Sequence, residues 1–144
     1  MKGGSTIFSK FTGLKPEKQE RILNAVMKEF SQKGFKNAST DAIAKDAGIS
    51  KGALFHYFTS KKDMFLYVYD YAVDLLKDEI FVKLDLGEKD IFERRMQASR
   101  LKIEILKRHP EIYDFTKDAY LEDSPDIKAA LEIKNAEIYQ RSIF

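Results

Sequence analysis

The sequence contains no cysteine and only two histidines, which limits the chemistry that it can carry. Without cysteine there are no disulfide bonds, zinc–thiolate sites, iron–sulfur clusters or cysteine nucleophiles. His56 and His109 are far apart, and neither belongs to a two-histidine metal-binding spacing. The adjacent acids Glu122 and Asp123 are better explained by the start of a helix than by acid–base catalysis. We therefore expect no metal, no cofactor and no catalytic residues, and interpret the protein as a non-enzyme.

Long apolar runs are also missing. No stretch approaches the roughly 18 apolar residues of a membrane-spanning helix, which excludes an integral membrane protein. The first fifteen residues lack the apolar core of a secretory signal. Hydrophobic residues nevertheless make up 44% of the chain, too many for a wholly disordered protein. These features predict a folded cytoplasmic protein with no membrane partner.

Glycine and charge are distributed unevenly along the chain. Six of the seven glycines precede residue 53. Residues 1–65 carry 12 Lys and Arg against 6 Asp and Glu, a net charge of +6. Residues 66–144 carry 13 against 17, a net charge of −4. A basic segment favours contact with phosphate groups, and a merely solvated surface of uneven charge is the alternative.

Apolar residues recur at helical spacing along most of the chain, and no segment shows the alternation of a strand. The pattern predicts an all-α protein. Apart from the segment considered next, helices are expected over about residues 16–33, 60–84, 91–108 and 110–120, and from Pro125 onward. The helix over residues 91–108 has two apolar edges, so we expect it to pack between neighbours.

Residues 39–58 have the pattern of a helix-turn-helix. A hydroxyl residue at position 39 or 40 can cap a first short helix, and Gly48 can end it. Ser50 can then cap a second helix that begins at Lys51. The second helix of such a pair enters the major groove of DNA, while the first braces against the phosphate backbone. A helix pair used only for packing is the alternative.

A longer series of spaced positions surrounds this motif. The series consists of Phe30, Gly34, Phe35, Ser39, Thr40, Ile43, Ala44, Ala47, Gly48, Ile49, Ser50, Gly52, Phe55, His56, Tyr57, Phe58 and Lys61. Through these positions, residues 16–66 resemble the N-terminal DNA-binding domain of the tetracycline-repressor (TetR) family of bacterial transcription regulators. Residues 67–144 resemble that family only in their helical character.

The resemblance implies a set of DNA contacts. Thr40 and Tyr57 are expected to donate hydrogen bonds to phosphates, and Lys61 is expected to pair with another phosphate. The first residues of the second helix are expected to face base edges. The complete set of expected DNA-contacting residues is Thr40, Ser50, Lys51, Gly52, Ala53, Phe55, His56, Tyr57 and Lys61.

Two of these residues carry alternatives. Phe55 replaces the tyrosine usual in the family and has no hydroxyl that could bind phosphate. Its two possible roles are apolar contact with DNA and simple packing within the protein. His56 is expected near the DNA backbone, and a partly buried structural histidine is the alternative. Ala53 can touch a thymine methyl group but cannot hydrogen-bond a base, so specificity is expected to depend partly on DNA shape.

The chain is expected to divide into three parts. Residues 1–14 contain three glycines and no sustained apolar period, so we expect a flexible arm. By the resemblance, residues 15–62 form the helix-turn-helix domain and residues 63–144 a helical regulatory domain, incomplete at its C-terminus. The sequence ends inside a helical pattern, which fits a fragment, an unrecorded remainder or an unusual mode of dimerisation.

The regulatory domain is expected to form a homodimer and to bind a small apolar or amphipathic effector. The expected effector-binding residues are Phe92, Met96, Arg100, Tyr113, Tyr120 and Tyr139, with ordinary core packing as the alternative for the aromatic ones. The implied function is that of a repressor that binds a near-palindromic double-stranded operator and is released by the effector. A helical protein-interaction bundle without DNA binding is the competing interpretation.

Overall fold

Helices account for nearly all of the regular structure. The computed structural model describes the backbone of residues 8–141 and the side chains of residues 8–137. Over that part of the chain no strand is present, which confirms the all-α prediction. The helices are α1 (Ser9–Thr12), α2 (Pro16–Asn37), α3 (Thr40–Ala47), α4 (Lys51–Tyr57), α5 (Lys61–Lys83), α6 (Ile91–Arg108), α7 (Pro110–Tyr120) and α8 (Pro125–Arg141).

Local signals fix the helix ends around the helix-turn-helix. The Ser39 hydroxyl oxygen accepts a hydrogen bond from the Ala42 amide at 3.2 Å, so Ser39 caps α3. The Ser50 hydroxyl oxygen accepts one from the Ala53 amide at 3.0 Å and caps α4. These bonds satisfy amide groups that have no partner inside the helix. Both caps agree with the sequence pattern.

Glycines end or interrupt two helices where a positive φ is needed. Gly48 follows α3 with φ 70°, and the Ile49 amide bonds back to the Ala44 carbonyl at 3.0 Å. Gly34 interrupts α2 with φ 72°, after which one more turn follows. The Phe35 ring then stacks on Phe30 with centroids 6.0 Å apart. Other residues rarely adopt such φ values.

The chain divides into an N-terminal unit (Met1–Val68) and a C-terminal unit (Tyr69–Phe144). The N-terminal unit has its own core, in which Phe65 meets Phe30 edge-on at 5.0 Å. The buried apolar side chains of this unit include Ile22, Val26, Phe30, Ile43, Leu54, Phe58, Met64, Phe65 and Val68. Because residues from several helices pack together in this core, it holds α3 and α4 in place against α2.

The segment before α2 differs from the flexible arm expected for residues 1–14. Residues 1–7 lie outside the described part of the chain, but Phe11 in α1 is completely buried. Its ring lies 5.0 Å from Phe58 and 5.3 Å from Tyr67, and Phe8 lies 4.8 Å from Tyr67. The burial of Phe11 and the contact of the half-buried Phe8 with Tyr67 favour order, which explains why this segment is helical.

In the C-terminal unit, α6 buries one edge and exposes the other. Ala98 and Ile105 are buried, whereas Phe92, Met96 and Ile103 are exposed. The expectation that both apolar edges of this helix are covered is therefore wrong for the residues that the structure describes. Polar contacts add to the packing, since Lys134 in α8 pairs with Asp70 in α5 at 2.8 Å. No described helix combines the length and apolar character needed to cross a membrane.

Candidate nucleic-acid interface

Helix α4 is anchored from one side. The side chains of Leu54 and Phe58 are completely buried. Phe58 packs against Phe11 at 5.0 Å and against Tyr67 at 5.4 Å. Since α4 has only seven residues, it is too short to be stable alone, and these anchors hold it in place.

The opposite side of α4 is open to solvent. Lys51, Gly52, Phe55 and His56 are exposed, and their spacing places them along one face of the helix. The exposure of His56 removes the alternative of a partly buried structural histidine. Ala53 is half-buried at the edge of this face. We call these five positions the α4 face: it carries one cation, one imidazole, one aromatic ring and two positions with little or no side chain.

Packing does not explain the glycine at position 52. A Cβ atom added there would meet only the Ser50 hydroxyl oxygen, at 3.9 Å, which is an ordinary van der Waals distance. Glycine in a helix costs about 1 kcal/mol relative to alanine. The fold therefore has room for an alanine at position 52, and the missing side chain leaves space for a surface outside the protein to approach.

Two side chains of α2 fix the orientation of α3, and sequence reasoning missed both. The Arg21 Nε donates to the Ala47 carbonyl at 2.8 Å, at the last residue of α3. The Glu29 carboxylate, only 8% exposed, accepts a hydrogen bond from the Ser39 amide at 2.7 Å. It also pairs with Lys33 at 3.2 Å. A carboxylate at the edge of the apolar stripe of α2 is the sequence signal that could have revealed Glu29.

Three further residues expected to contact DNA flank the α4 face. Thr40, at the start of α3, and Tyr57, at the end of α4, are both half-buried. The Tyr57 ring meets Phe11 edge-on at 6.2 Å. Ser50 is exposed, although its oxygen already accepts the capping bond of α4. The hydroxyl hydrogens of such groups can still donate to an external acceptor.

Lys61 has partners within the protein that the sequence did not predict. Its ammonium group donates to the carbonyls of Lys36 at 3.1 Å and Ala38 at 3.3 Å. It also lies 4.9 Å from the centroid of the Phe35 ring. An ammonium group has three N–H donors, so two bonds to carbonyls leave one for a phosphate. The predicted phosphate contact of Lys61 therefore stays a prediction, alongside a structural role.

The expected effector-binding residues do not enclose a cavity in the described part of the chain. Phe92, Met96, Tyr113 and Tyr120 are exposed. Arg100 forms an ion pair with Glu93 at 3.4 Å, two turns away on α6. The Tyr139 side chain lies outside the described residues. The effector site remains a prediction, with no group of residues that the structure brings together around it.

Metal binding finds no structural support in the described residues. None of them form a group of three or more His, Asp or Glu side chains that could hold an ion. The side chains of the α4 face offer hydrogen bonding, ion pairing and apolar contact.

Residues 22–68 match the family model described as "Bacterial regulatory proteins, tetR family". This match covers α3, α4, most of α2 and the start of α5. The chain is 41% identical over 58 residues to the uncharacterized HTH-type transcriptional regulator YuxN of Bacillus subtilis, covering 40% of this chain and 20% of YuxN. It is 52% identical over 42 residues to the HTH-type transcriptional regulator UidR of Escherichia coli K12, covering 29% of this chain and 21% of UidR. The chain thus matches about a fifth of the length of these curated relatives.

Solved structures extend the likeness beyond this domain. A TetR family transcriptional regulator from Chloroflexus aurantiacus superimposes with a TM-score of 0.70 at 25% identity, covering 81% of this chain and 54% of that one. Another from Marinobacter aquaeolei gives a TM-score of 0.66 at 25% identity, covering 85% of this chain and 65% of that one. Residues 22–68 thus match the DNA-binding domain of the tetR family of bacterial regulatory proteins, and the helical fold of the chain resembles that of solved TetR family regulators.

Proposed function

We propose that this protein is a transcription regulator that binds double-stranded DNA by placing the α4 face in the major groove. The observation that carries the proposal is the contrast between the two sides of α4. One side is anchored by the fully buried Leu54 and Phe58, and the other exposes Lys51, Gly52 and His56. A short helix held rigidly with a small-residue face outward fits a groove that is about 12 Å wide.

The proposed base contacts come from the first turns of α4. Lys51 can donate to the acceptors of a guanine edge, which is a common specific contact in the major groove. Gly52 and Ala53 let the helix approach the groove floor closely, and Ala53 can touch a thymine methyl group. Phe55 and His56 lie one turn further along, where they contact sugar, thymine methyl or the DNA backbone.

The proposed phosphate contacts flank the helix. Thr40, Ser50 and Tyr57 donate hydroxyl hydrogen bonds, and Lys61 contributes its remaining N–H. Such contacts set the position of the protein on the duplex without reading sequence. The net charge of +6 over residues 1–65 supports DNA binding by this part of the chain, because positive charge attracts the phosphate backbone over a distance.

A symmetric dimer is part of the proposal. One α4 helix reads only a few base pairs, which is too little to select a site in a genome. Two copies related by a twofold axis would meet successive major grooves about 34–36 Å apart on a near-palindromic operator. We further propose that a small apolar or amphipathic effector acts on the C-terminal unit and releases the operator. The protein would work in the cytoplasm as a repressor, without enzymatic activity.

Selection of bound duplexes from a random pool, with the purified protein, tests this function. The expected result is a family of recovered sequences that share one inverted repeat, with binding that weakens as salt is raised. The variant Gly52→Leu should recover no such family. As a matched control, Ala136→Leu adds the same side chain at an exposed position of α8 and should recover the wild-type sequences. Failure of the wild-type protein to retain any duplex would favour the helical interaction bundle.

A further inference from the structure

The only cation among the first three residues of α4 has an acidic partner inside the protein. The Lys51 ammonium nitrogen lies 3.3 Å from Oδ1 and 3.5 Å from Oδ2 of Asp41. Asp41 is in the first turn of α3, so the ion pair bridges the two helices of the helix-turn-helix. Both side chains remain accessible, with 53% of Lys51 and 74% of Asp41 exposed.

This ion pair competes with DNA for the same ammonium group. A lysine that neutralises a phosphate releases condensed counterions, and this gain accounts for nearly all binding to non-target duplex. When Lys51 leaves Asp41, the protein loses one ion pair and leaves a carboxylate facing the DNA. Because an exposed pair is weak, the exchange remains possible. Breaking the pair with Asp41 nevertheless reduces the free energy that Lys51 gains from contact with a phosphate.

The consequence differs between target and non-target DNA. At a target site, the remaining contacts seat α4 in the groove, where a guanine edge offers Lys51 two acceptors. On other sequences Lys51 meets only a phosphate that is screened by salt. New contacts therefore compensate for the lost ion pair with Asp41 more fully at the target site than on other sequences.

We propose that Asp41 is a positioning residue that holds Lys51 in the unbound protein and suppresses binding to non-target duplex. This inference rests on the proposed DNA-binding function. Asp41 contributes no contact of its own to DNA and acts through Lys51.

The test is a double-mutant cycle with Asp41→Asn and Lys51→Met, singly and together. The probe is a short duplex of random sequence, and its affinity is measured by fluorescence anisotropy at several salt concentrations. Asp41→Asn should raise the affinity about two- to fivefold at low salt, since exposed ion pairs are worth little. The gain should shrink as salt rises, and it should be absent in the Lys51→Met background.

Three further variants separate this role from a general effect of charge or folding. Asp46→Asn removes the same charge from the same helix, where Asp46 faces Lys28 of α2 at 3.9 Å, and its effect should not depend on Lys51. Asp41→Glu keeps the carboxylate and should bind as the wild-type protein does. Asp41→Ala should repeat the effect of Asp41→Asn, which guards against a folding defect in one variant.

Specific outcomes overturn the inference. An equal gain from Asp41→Asn with and without Lys51 would mean that only the removal of a negative charge matters. If Asp41→Asn produced no gain at all, Asp41 would not restrain Lys51 and the inference would also fail. If the wild-type protein bound no duplex in this assay, the proposed function itself would fail. Normal wild-type binding without coupling between the two residues would overturn the role of Asp41 alone.

Discussion

Replacing Lys61 by methionine should destabilise the N-terminal unit, because its ammonium group joins the start of α5 to the end of α2. Methionine keeps most of the length and apolar character of the lysine stem but removes the charge and the donors. The lost contacts are hydrogen bonds to the carbonyls of Lys36 and Ala38 and the approach to the Phe35 ring.

The magnitude follows from these contacts. A hydrogen bond from a charged donor contributes about 1.5–3 kcal/mol to stability when it is well buried. Lys61 is half-exposed, so competition from water reduces this contribution. A cation–π contact at an exposed site adds about 0.5–1 kcal/mol. We expect Lys61→Met to lower the free energy of unfolding by about 1–2 kcal/mol, since the freed carbonyls can partly rehydrate. For a chain of this size that corresponds to a fall in melting temperature of about 3–8 °C.

Thermal unfolding followed by circular dichroism measures this effect. The matched control is Lys62→Met, which makes the same change at the next residue, where the side chain is exposed. A surface change of that kind usually alters stability by less than about 0.5 kcal/mol. Equal melting temperatures for the two variants would refute the structural role of Lys61.

The same pair of variants tests the phosphate contact separately. If the third N–H of Lys61 reaches a phosphate, Lys61→Met should flatten the log–log salt dependence of DNA binding by about one unit for each DNA-binding unit engaged. A lower melting temperature with an unchanged salt dependence would leave Lys61 as a purely structural residue.

Substitutions at three other positions have defined outcomes. Ser50→Ala removes the cap of α4 and should lower the free energy of unfolding by about 1 kcal/mol, measured by urea titration. Phe11→Ala should lower it by about 3–5 kcal/mol in the same assay, because a fully buried ring leaves a cavity. Gly52→Ala should raise it by up to about 1 kcal/mol, whereas Gly52→Leu should abolish operator binding, measured by gel shift, while the protein still unfolds cooperatively.

Three of these predictions have a result that would contradict them. Unchanged stability of Ser50→Ala would mean that the capping bond contributes nothing to α4. A stability loss below about 0.5 kcal/mol for Phe11→Ala would fit an unpacked arm instead of an anchored α1. Normal operator affinity of Gly52→Leu would exclude this position from the DNA interface.

Features encoded by neighbouring residues were predictable from the sequence. The caps at Ser39 and Ser50 and the stop at Gly48 depend on bonds that span three to five residues, so their signals lie next to each other in the chain. The inward positions Leu54 and Phe58 follow in the same way from helical spacing.

Contacts between distant residues were not predictable. The bond from Arg21 to Ala47 joins positions 26 residues apart, and the pair of Asp41 with Lys51 joins positions ten apart. Such contacts form only when the helices pack together, so no local sequence pattern indicates them. The burial of Phe11 was missed for a related reason, since three glycines in residues 1–14 suggested flexibility while its aromatic partners lie far along the chain.

The exposed edge of α6 shows a further limit. Periodicity identifies which residues share an edge, but it cannot tell whether anything covers that edge. Ala98 and Ile105 are buried and Phe92 and Met96 are exposed, although all four fit an apolar pattern.

The central claim is that the N-terminal unit binds duplex DNA through the α4 face. It is tested most directly by the affinity of the wild-type protein for one duplex recovered from the random pool, measured over a series of salt concentrations. We predict a linear fall of log K with log salt, with a slope of about −0.9 for each phosphate that the protein neutralises. Absence of binding, or an affinity that does not change with salt, would contradict the account.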